Sequence, residues 1–201
     1  MKKILTKGVF IMSLGKQAKT LSEAQQKVIL WHLSEGRHAR RNTVIFLLSV
    51  DAALRAKEIA SLEWSMLTDA SGNLTDQIRL QDRASKGRSG GVVFMSKRLH
   101  SACRKYALEQ VLQGRVLKSQ RGLSLSAQVV TNWFFNLYTE LGYEGCSSHS
   151  GRRTAITTWA RRISSVGGSL RDVQALARHA SIAMTQRYIE VSEDACRRVV
   201  G

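Results

Sequence analysis

Several residue types that define common protein classes are scarce in this sequence of 201 residues. The cysteines Cys103, Cys146 and Cys196 stand far apart, which excludes a disulfide scaffold and a zinc ribbon and predicts reduced thiols in a cytoplasmic protein. No apolar run approaches the roughly 20 residues that span a bilayer, so a membrane protein is not expected. Lys7 and Lys16 interrupt the apolar stretch that a signal peptide requires. Proline is absent, although about 5% is usual, and we find no physical reason for this.

Acidic residues are also scarce. The chain has 31 Lys and Arg against 15 Asp and Glu, a formal net charge of +16. This excess predicts a polyanionic partner, because cations that neutralise phosphates release counterions. A hydrophobic fraction of 43% and a charged fraction of 23% are typical of a folded globular protein rather than a disordered one.

Apolar residues recur mostly at helical spacing, which predicts a mainly α-helical domain with one small antiparallel sheet, an α+β fold. We expect a basic lead-in over residues 1–20 and a single domain over residues 21–201, without a separate N-terminal domain. The sheet is a hairpin of strands 77–80 and 92–95, joined by a turn rich in Gly, Ser and positive charge. Helices are expected around residues 22–31, 44–50, 57–64, 126–141 and 151–163, with two shorter ones after Gly167-Gly168.

Four of these helices carry more detailed expectations. The unbroken apolar run 44–50 predicts a buried helix. Ser126 is expected to cap a helix whose apolar face consists of Val130, Trp133, Phe134, Leu137 and Leu141.

The other two expectations concern the first helix and the short helix over 57–64. Ala24, Val28 and Trp31 recur at helical spacing and indicate the first helix. In the short helix over 57–64, Ile59 and Leu62 form the apolar side, and the carboxylates of Glu58 and Glu63 are expected to face water.

The most informative stretch is His149-Ser150-Gly151-Arg152-Arg153-Thr154. His149 and Arg152 are three residues apart, so at a helix start they share a face near the positive end of the helix dipole. A phosphate there would meet an imidazole, a guanidinium fork and free backbone N–H groups. Taken alone, a short H-x-x-R motif is more often a solvated basic turn.

His179 and Tyr188 form a second candidate pair. They are nine residues apart, so a turn must lie between them if their side chains are to meet. Tyrosine can attack phosphorus, but its ordinary pKa of about 10 means that it needs neighbouring cations and a proton acceptor. The alternative is a partly buried aromatic side chain with its hydroxyl at the surface.

Arg55 and Lys86 are the remaining candidate cations. Arg55 stands at a helix start beside an apolar segment, where an unpaired charge is costly, so either Glu58 or a ligand anion pairs with it. Lys86 lies in the glycine-rich turn of the hairpin, from which a flexible ammonium can reach into a groove. An ordinary surface lysine is the alternative.

In this order, Arg55, Lys86, His149, Arg152, His179 and Tyr188 resemble the catalytic set of the tyrosine recombinase (phage integrase) family. The flanking residues resemble the three boxes of the family: Leu54-Arg55-x-x-Glu58-Ile59-x-x-Leu62-x-Trp64, His149-x-x-Arg152-Arg153-Thr154, and Leu176 through His179 to Thr185-x-x-Tyr188. The resemblance covers about Leu21 to the C-terminus. Within the family, the chain resembles the short members that consist of the catalytic domain alone, such as fimbrial-type invertases.

Three residues depart from the family pattern. Ala53 and Arg178 stand where the family usually has glycine, before Leu54-Arg55 and before His179. Phe94 stands in the last hairpin strand, where a proline is common.

The resemblance implies a site-specific DNA recombinase in which Tyr188 attacks a phosphodiester, giving a 3′-phosphotyrosyl intermediate and a free 5′ hydroxyl. A hydroxyl of a second strand reverses the step, so no ATP, metal or cofactor is implied. Arg55 and Arg152 would brace the non-bridging oxygens, and Lys86 would protonate the leaving 5′ oxygen. His149 and His179 would hydrogen-bond the phosphate or take the proton of the tyrosine, and the sequence leaves their roles open.

The implied partner is double-stranded DNA. Four protomers are expected to bind two paired sites, and the protein is expected to be a monomer in free solution. An accessory DNA-bending protein is a further implied partner. The basic residues expected to bind DNA are Arg83, Lys86, Arg88, Lys97, Arg98 and Arg153.

Two alternatives use the same fold: a non-catalytic DNA-binding regulator and a relaxing enzyme similar to type IB topoisomerases. The intact tyrosine and both arginines count against the regulator.

Overall fold

The computed structural model of the chain describes residues 17–84, 90–119, 124–189 and 197–198. In these residues the chain forms helices and one two-stranded antiparallel sheet, which confirms the mainly helical α+β fold. The helices are α1 (Glu23–Ser34), α2 (Ala39–Val50), α3 (Ala56–Ser61), α4 (Lys97–Ala107), α5 (Ala127–Glu140), α6 (Ser150–Arg162), α7 (Leu170–Ala177) and α8 (Ile182–Gln186). None of the helices in this part of the chain is long and apolar enough to cross a membrane.

Helix α1 begins where the sequence indicates, but it buries a different face. Ser22 and Gln25 form the N-terminal capping box. The side chains that pack inward are Gln26, Ile29 and Leu33, whereas Val28 is exposed and Trp31 is 68% exposed. An apolar spacing of three to four residues fits more than one face of a helix, and packing against the rest of the chain decides between them.

Helix α2 is the centre of the main hydrophobic core, as its unbroken apolar run 44–50 predicts. It packs against α1, α4 and α6. Its contact with α6 is close at Gly151, where an added Cβ atom would lie 2.3 Å from the hydroxyl oxygen of Ser49. This approach brings the start of α6 beside residues 51–55, which follow α2.

The hairpin forms in the expected place. Strands β1 (Gln77–Leu80) and β2 (Gly91–Phe94) pair antiparallel, with Ile78 opposite Val93 and both side chains buried. Lys86 and Arg88, which the sequence places in the connecting turn, lie outside the described residues.

Helix α5 confirms the expected cap and apolar face. The Ser126 hydroxyl accepts a hydrogen bond from the Val129 N–H, and Val130, Phe134 and Leu137 point into the main core. Since α5 packs against α3, it supports the short helix at whose start Arg55 stands.

A second, smaller core lies beside the main one. It consists of Ala53, Ala155, Ile156, Val173 and Ala177, all of them buried. These residues belong to the loop before α3, to α6 and to α7, so this small core joins the three segments that carry the candidate site.

Candidate active site

Five of the six candidate catalytic residues line a single cavity of about 430 Å³, and the sixth, Lys86, lies outside the described residues. The five are Arg55, His149, Arg152, His179 and Tyr188. The other residues lining the cavity are Gln17, Ala18, Ser147, Arg153, Met184 and Arg187. No acidic residue of the described part of the chain is among them, so the cavity has an electropositive wall that suits a phosphate.

Arg152 is held from two sides by backbone. Its Nη1 donates to the carbonyl of Ala53, and its Nη2 donates to the carbonyl of Ala177 at 2.6 Å. Burial, together with the nearby charge of Arg55, lowers the pKa of Arg152 to about 10, so its guanidinium is still charged at neutral pH. Both carbonyls belong to residues of the small core, which therefore fixes the direction of this guanidinium.

Arg55 is held by a carboxylate instead. Its Nη1 donates to Glu58 Oε1 at 2.9 Å, and its backbone N–H donates to Glu58 Oε2 at 2.8 Å. The expectation that Glu58 faces water is wrong, because this residue is 0% exposed. A buried carboxylate needs charged partners, and Arg178 supplies a second one: its Nη2 donates to Glu58 Oε2 at 2.8 Å.

The two residues that stand where the family usually has glycine both have a left-handed backbone conformation. Ala53 has φ 51° and Arg178 has φ 53°, in the region that glycine enters without a steric cost. A side chain there costs roughly 1–2 kcal/mol. The Ala53 methyl packs in the small core, and the Arg178 guanidinium binds Glu58, so each side chain gains a contact that offsets part of this cost.

His149 is the residue before α6, at the end of the helix where the first backbone N–H groups have no partner within the helix. Partial burial, Arg152 and Arg55 lower the pKa of His149, which favours the neutral form of its imidazole. A neutral imidazole in the cavity can accept a proton.

His179 and Tyr188 meet, as the sequence requires if they act together. Helix α8 makes the turn between them, and their rings stack with centroids 5.4 Å apart. Burial, with the charges of Arg152, Arg55 and Arg178, lowers the pKa of His179 to about 4. The Nδ1 atom of His179 lies 3.0 Å from the hydroxyl oxygen of Thr185.

The residues expected to bind DNA fall into different environments. Arg153 lines the cavity and donates to the carbonyl of Ala18, and Lys97 is exposed. Arg83 pairs with Glu63, and Arg98 binds both carboxylate oxygens of Asp51. Arg88 lies outside the described residues. Arg83 and Arg98 must therefore leave or share an ion pair before they can contact a phosphate.

Sequence reasoning assigned no role to three residues at the site. Arg187 adds a cation to the cavity wall, Arg178 binds Glu58, and Thr185 contacts His179. The position of Arg187 next to Tyr188 was a usable signal. Nothing in the sequence indicated that Arg178 would reach a carboxylate 120 positions away.

Comparison with known proteins identifies the family. The sequence model described as the phage integrase family matches residues 19–194. The chain belongs to this family. The resemblance to the tyrosine recombinase (phage integrase) family is thereby confirmed. No curated protein sequence matches the chain as a relative.

Solved structures of recombinases share the fold. The Tn1549 transposon integrase in complex with a circular intermediate DNA has a TM-score of 0.72 and 15% identity, over 92% of this chain and 65% of that one. XerA recombinase has a TM-score of 0.69 and 22% identity, over 90% and 63%. A lambda integrase dimer bound to a core site has a TM-score of 0.63 and 16% identity, over 89% and 64%. The chain thus spans less than two thirds of each of these three chains.

Proposed function

We propose that the protein is a site-specific DNA recombinase of the integrase or invertase type, which cleaves and rejoins strands through a 3′-phosphotyrosyl intermediate. The observation that carries this proposal is the cavity that Tyr188 lines together with Arg55, Arg152 and two histidines, His149 and His179. A non-catalytic DNA-binding protein needs cations but has no use for a tyrosine in the same cavity.

The chemistry follows from these side chains. The Tyr188 oxygen attacks the phosphorus, a new P–O bond forms, and the bond to the 5′ oxygen breaks. Arg55 and Arg152 stabilise the negative charge that builds on the non-bridging oxygens. The phenolic proton passes to an imidazole, and the leaving 5′ oxygen takes a proton from Lys86, the role that the family resemblance assigns to it. Attack by the 5′ hydroxyl of another strand runs these steps backwards.

The proposed partner is double-stranded DNA. The net charge of +16 and the wholly basic charged lining of the cavity support it, as do the recombinase structures of similar fold that are bound to DNA. We further propose that the protein is a monomer in free solution and that four protomers assemble on two paired sites. An accessory DNA-bending protein assists this assembly. The reaction takes place in the cytoplasm, on the nucleoid.

A nicked suicide substrate tests the reaction. Cleavage next to the nick releases a short fragment, religation is lost, and a covalent complex accumulates that a denaturing gel separates from free protein. The DNA that flanks the gene supplies the candidate site. We expect a band at the mass of protein plus DNA, absent with Tyr188→Phe, while that variant binds the same DNA as tightly.

The same experiment distinguishes the alternatives. Salt-sensitive binding without any covalent band points to a DNA-binding regulator. A covalent band with relaxation of supercoiled plasmid, but no joining of strands between two duplexes, points to an enzyme similar to type IB topoisomerases.

A further inference from the structure

His179 and Thr185 form an enclosed polar contact in the candidate site. Thr185 is 0% exposed and His179 is 6% exposed. The distance from His179 Nδ1 to Thr185 Oγ1 is 3.0 Å, a normal hydrogen bond. Within the described residues, the Thr185 hydroxyl has no other hydrogen-bond partner.

The direction of this hydrogen bond depends on which ring nitrogen of the neutral His179 imidazole carries the proton. Three cations face His179: Arg152 from α6, Arg55 from the start of α3, and Arg178 from the end of α7. Together with burial they disfavour a second proton on the ring. A neutral histidine carries its proton on one nitrogen only, and the hydrogen bond of the other nitrogen decides which.

The two arrangements differ in what they leave unsatisfied. If Nδ1 carries the proton and donates to Thr185, the hydroxyl hydrogen of Thr185 is buried without an acceptor. If Thr185 donates to a bare Nδ1, both groups are satisfied and the ring proton lies on Nε2. Because a buried donor without a partner is destabilising, the second arrangement is favoured.

We infer that Thr185 is a positioning residue that donates to His179 Nδ1 and thereby fixes the proton of His179 on Nε2. Since Nδ1 faces the buried threonine, Nε2 is the nitrogen left for the cavity that His179 lines. A protonated Nε2 has no lone pair for the proton of Tyr188.

This inference rests on the proposed function for its catalytic meaning, but the tautomer is measurable without any reaction. Nitrogen-15 NMR of DNA-free protein, labelled at histidine and assigned with a His179→Gln variant, distinguishes a protonated from a bare ring nitrogen. We expect His179 to show a bare Nδ1 and a protonated Nε2. A protonated Nδ1 in the wild-type protein overturns the inference, whether or not the protein cleaves DNA.

Two variants separate positioning from simple packing. Thr185→Val keeps the shape and removes the hydroxyl, and Thr185→Ser keeps the hydroxyl and removes a methyl. We expect Thr185→Val to show a mixture of tautomers and to form the covalent complex about fivefold more slowly, with DNA affinity unchanged. Thr185→Ser is expected to restore both the tautomer and the rate.

The outcomes of the variant experiment are distinct. Equal slowing by both variants assigns Thr185 a packing role and contradicts the inference, as does an unchanged rate and tautomer in Thr185→Val. If the wild-type protein forms no covalent complex at all, the proposed function fails, and the NMR result still decides the tautomer.

Discussion

The two hydrophobic cores of this protein differ in what they hold. The main core around α2 contains large apolar side chains such as Phe46, Trp64 and Phe134. The small core contains mostly alanines, and buried polar groups surround it, among them Arg152 and His179. The main core supplies most of the apolar burial that stabilises the fold, whereas the small core brings three chain segments close enough to orient the cations and imidazoles of the site.

A substitution in the main core is expected to have the largest effect. Phe134→Ala removes a fully buried ring and lowers the free energy of unfolding by about 3–5 kcal/mol, measured by urea denaturation. The matched control is Phe135→Ala, since that neighbouring ring is 63% exposed. Equal losses from the two variants contradict the packing of α5 described above.

A substitution at the edge of the small core is expected to change the reaction and leave the fold intact. Arg152→Lys keeps the charge but cannot bind two carbonyls and a phosphate together, so covalent complex formation falls by about 10²–10³-fold. Arg162→Lys, on the same helix but exposed and outside the cavity lining, serves as the control and is expected to change the rate little. A parallel loss of DNA affinity in Arg152→Lys makes that residue a docking residue instead.

The pH dependence of stability tests the burial of His179. In the unfolded chain this imidazole takes a proton near its ordinary pKa of 6.5, whereas in the folded protein the pKa is about 4. The unfolded state therefore binds more protons below pH 6.5, and stability falls as the pH falls toward 4.

Between pH 7 and pH 5 we expect the wild-type protein to lose about 1–2 kcal/mol more unfolding free energy than His179→Gln. His149 contributes in the same direction in both proteins, so the difference isolates His179. The unfolding free energies are measured by urea denaturation at both pH values. If the wild-type protein and His179→Gln lose the same amount between pH 7 and pH 5, His179 is protonated to the same extent in the folded and unfolded states.

The smallest expected effect concerns the left-handed backbone beside the small core. Arg178→Gly and Arg178→Ala both remove the ion pair with Glu58, and they differ only in a Cβ atom at φ 53°. We expect the glycine variant to be more stable by about 1 kcal/mol in thermal or urea unfolding. If the alanine variant is as stable, the backbone at this position is not left-handed.

The sequence predicts the main core better than the small one. The buried run 44–50, the hairpin and the capped helix α5 follow from local spacing and local hydrogen bonds, and all three are confirmed. The choice of the buried face of α1 and the burial of Glu58 have one physical cause: both depend on side chains far away in the chain, which periodicity does not contain.

The composition of the candidate site was predictable, but its organisation was not. The residue types and their order predicted Arg55, His149, Arg152, His179 and Tyr188, and the fold brings these five together. The carbonyls that orient Arg152 and the hydroxyl that contacts His179 come from Ala53, Ala177 and Thr185. Backbone carbonyls carry no sequence signal, and their positions depend on how the small core packs.

The most direct test of the account is to identify the residue that becomes linked to DNA. The covalent complex from a nicked substrate is digested with nuclease and protease, and its peptides are sequenced by mass spectrometry. We predict a nucleotide attached through its 3′ phosphate to the hydroxyl of Tyr188. Attachment to any other residue, or no attachment under conditions in which the protein binds the site, contradicts the central claim.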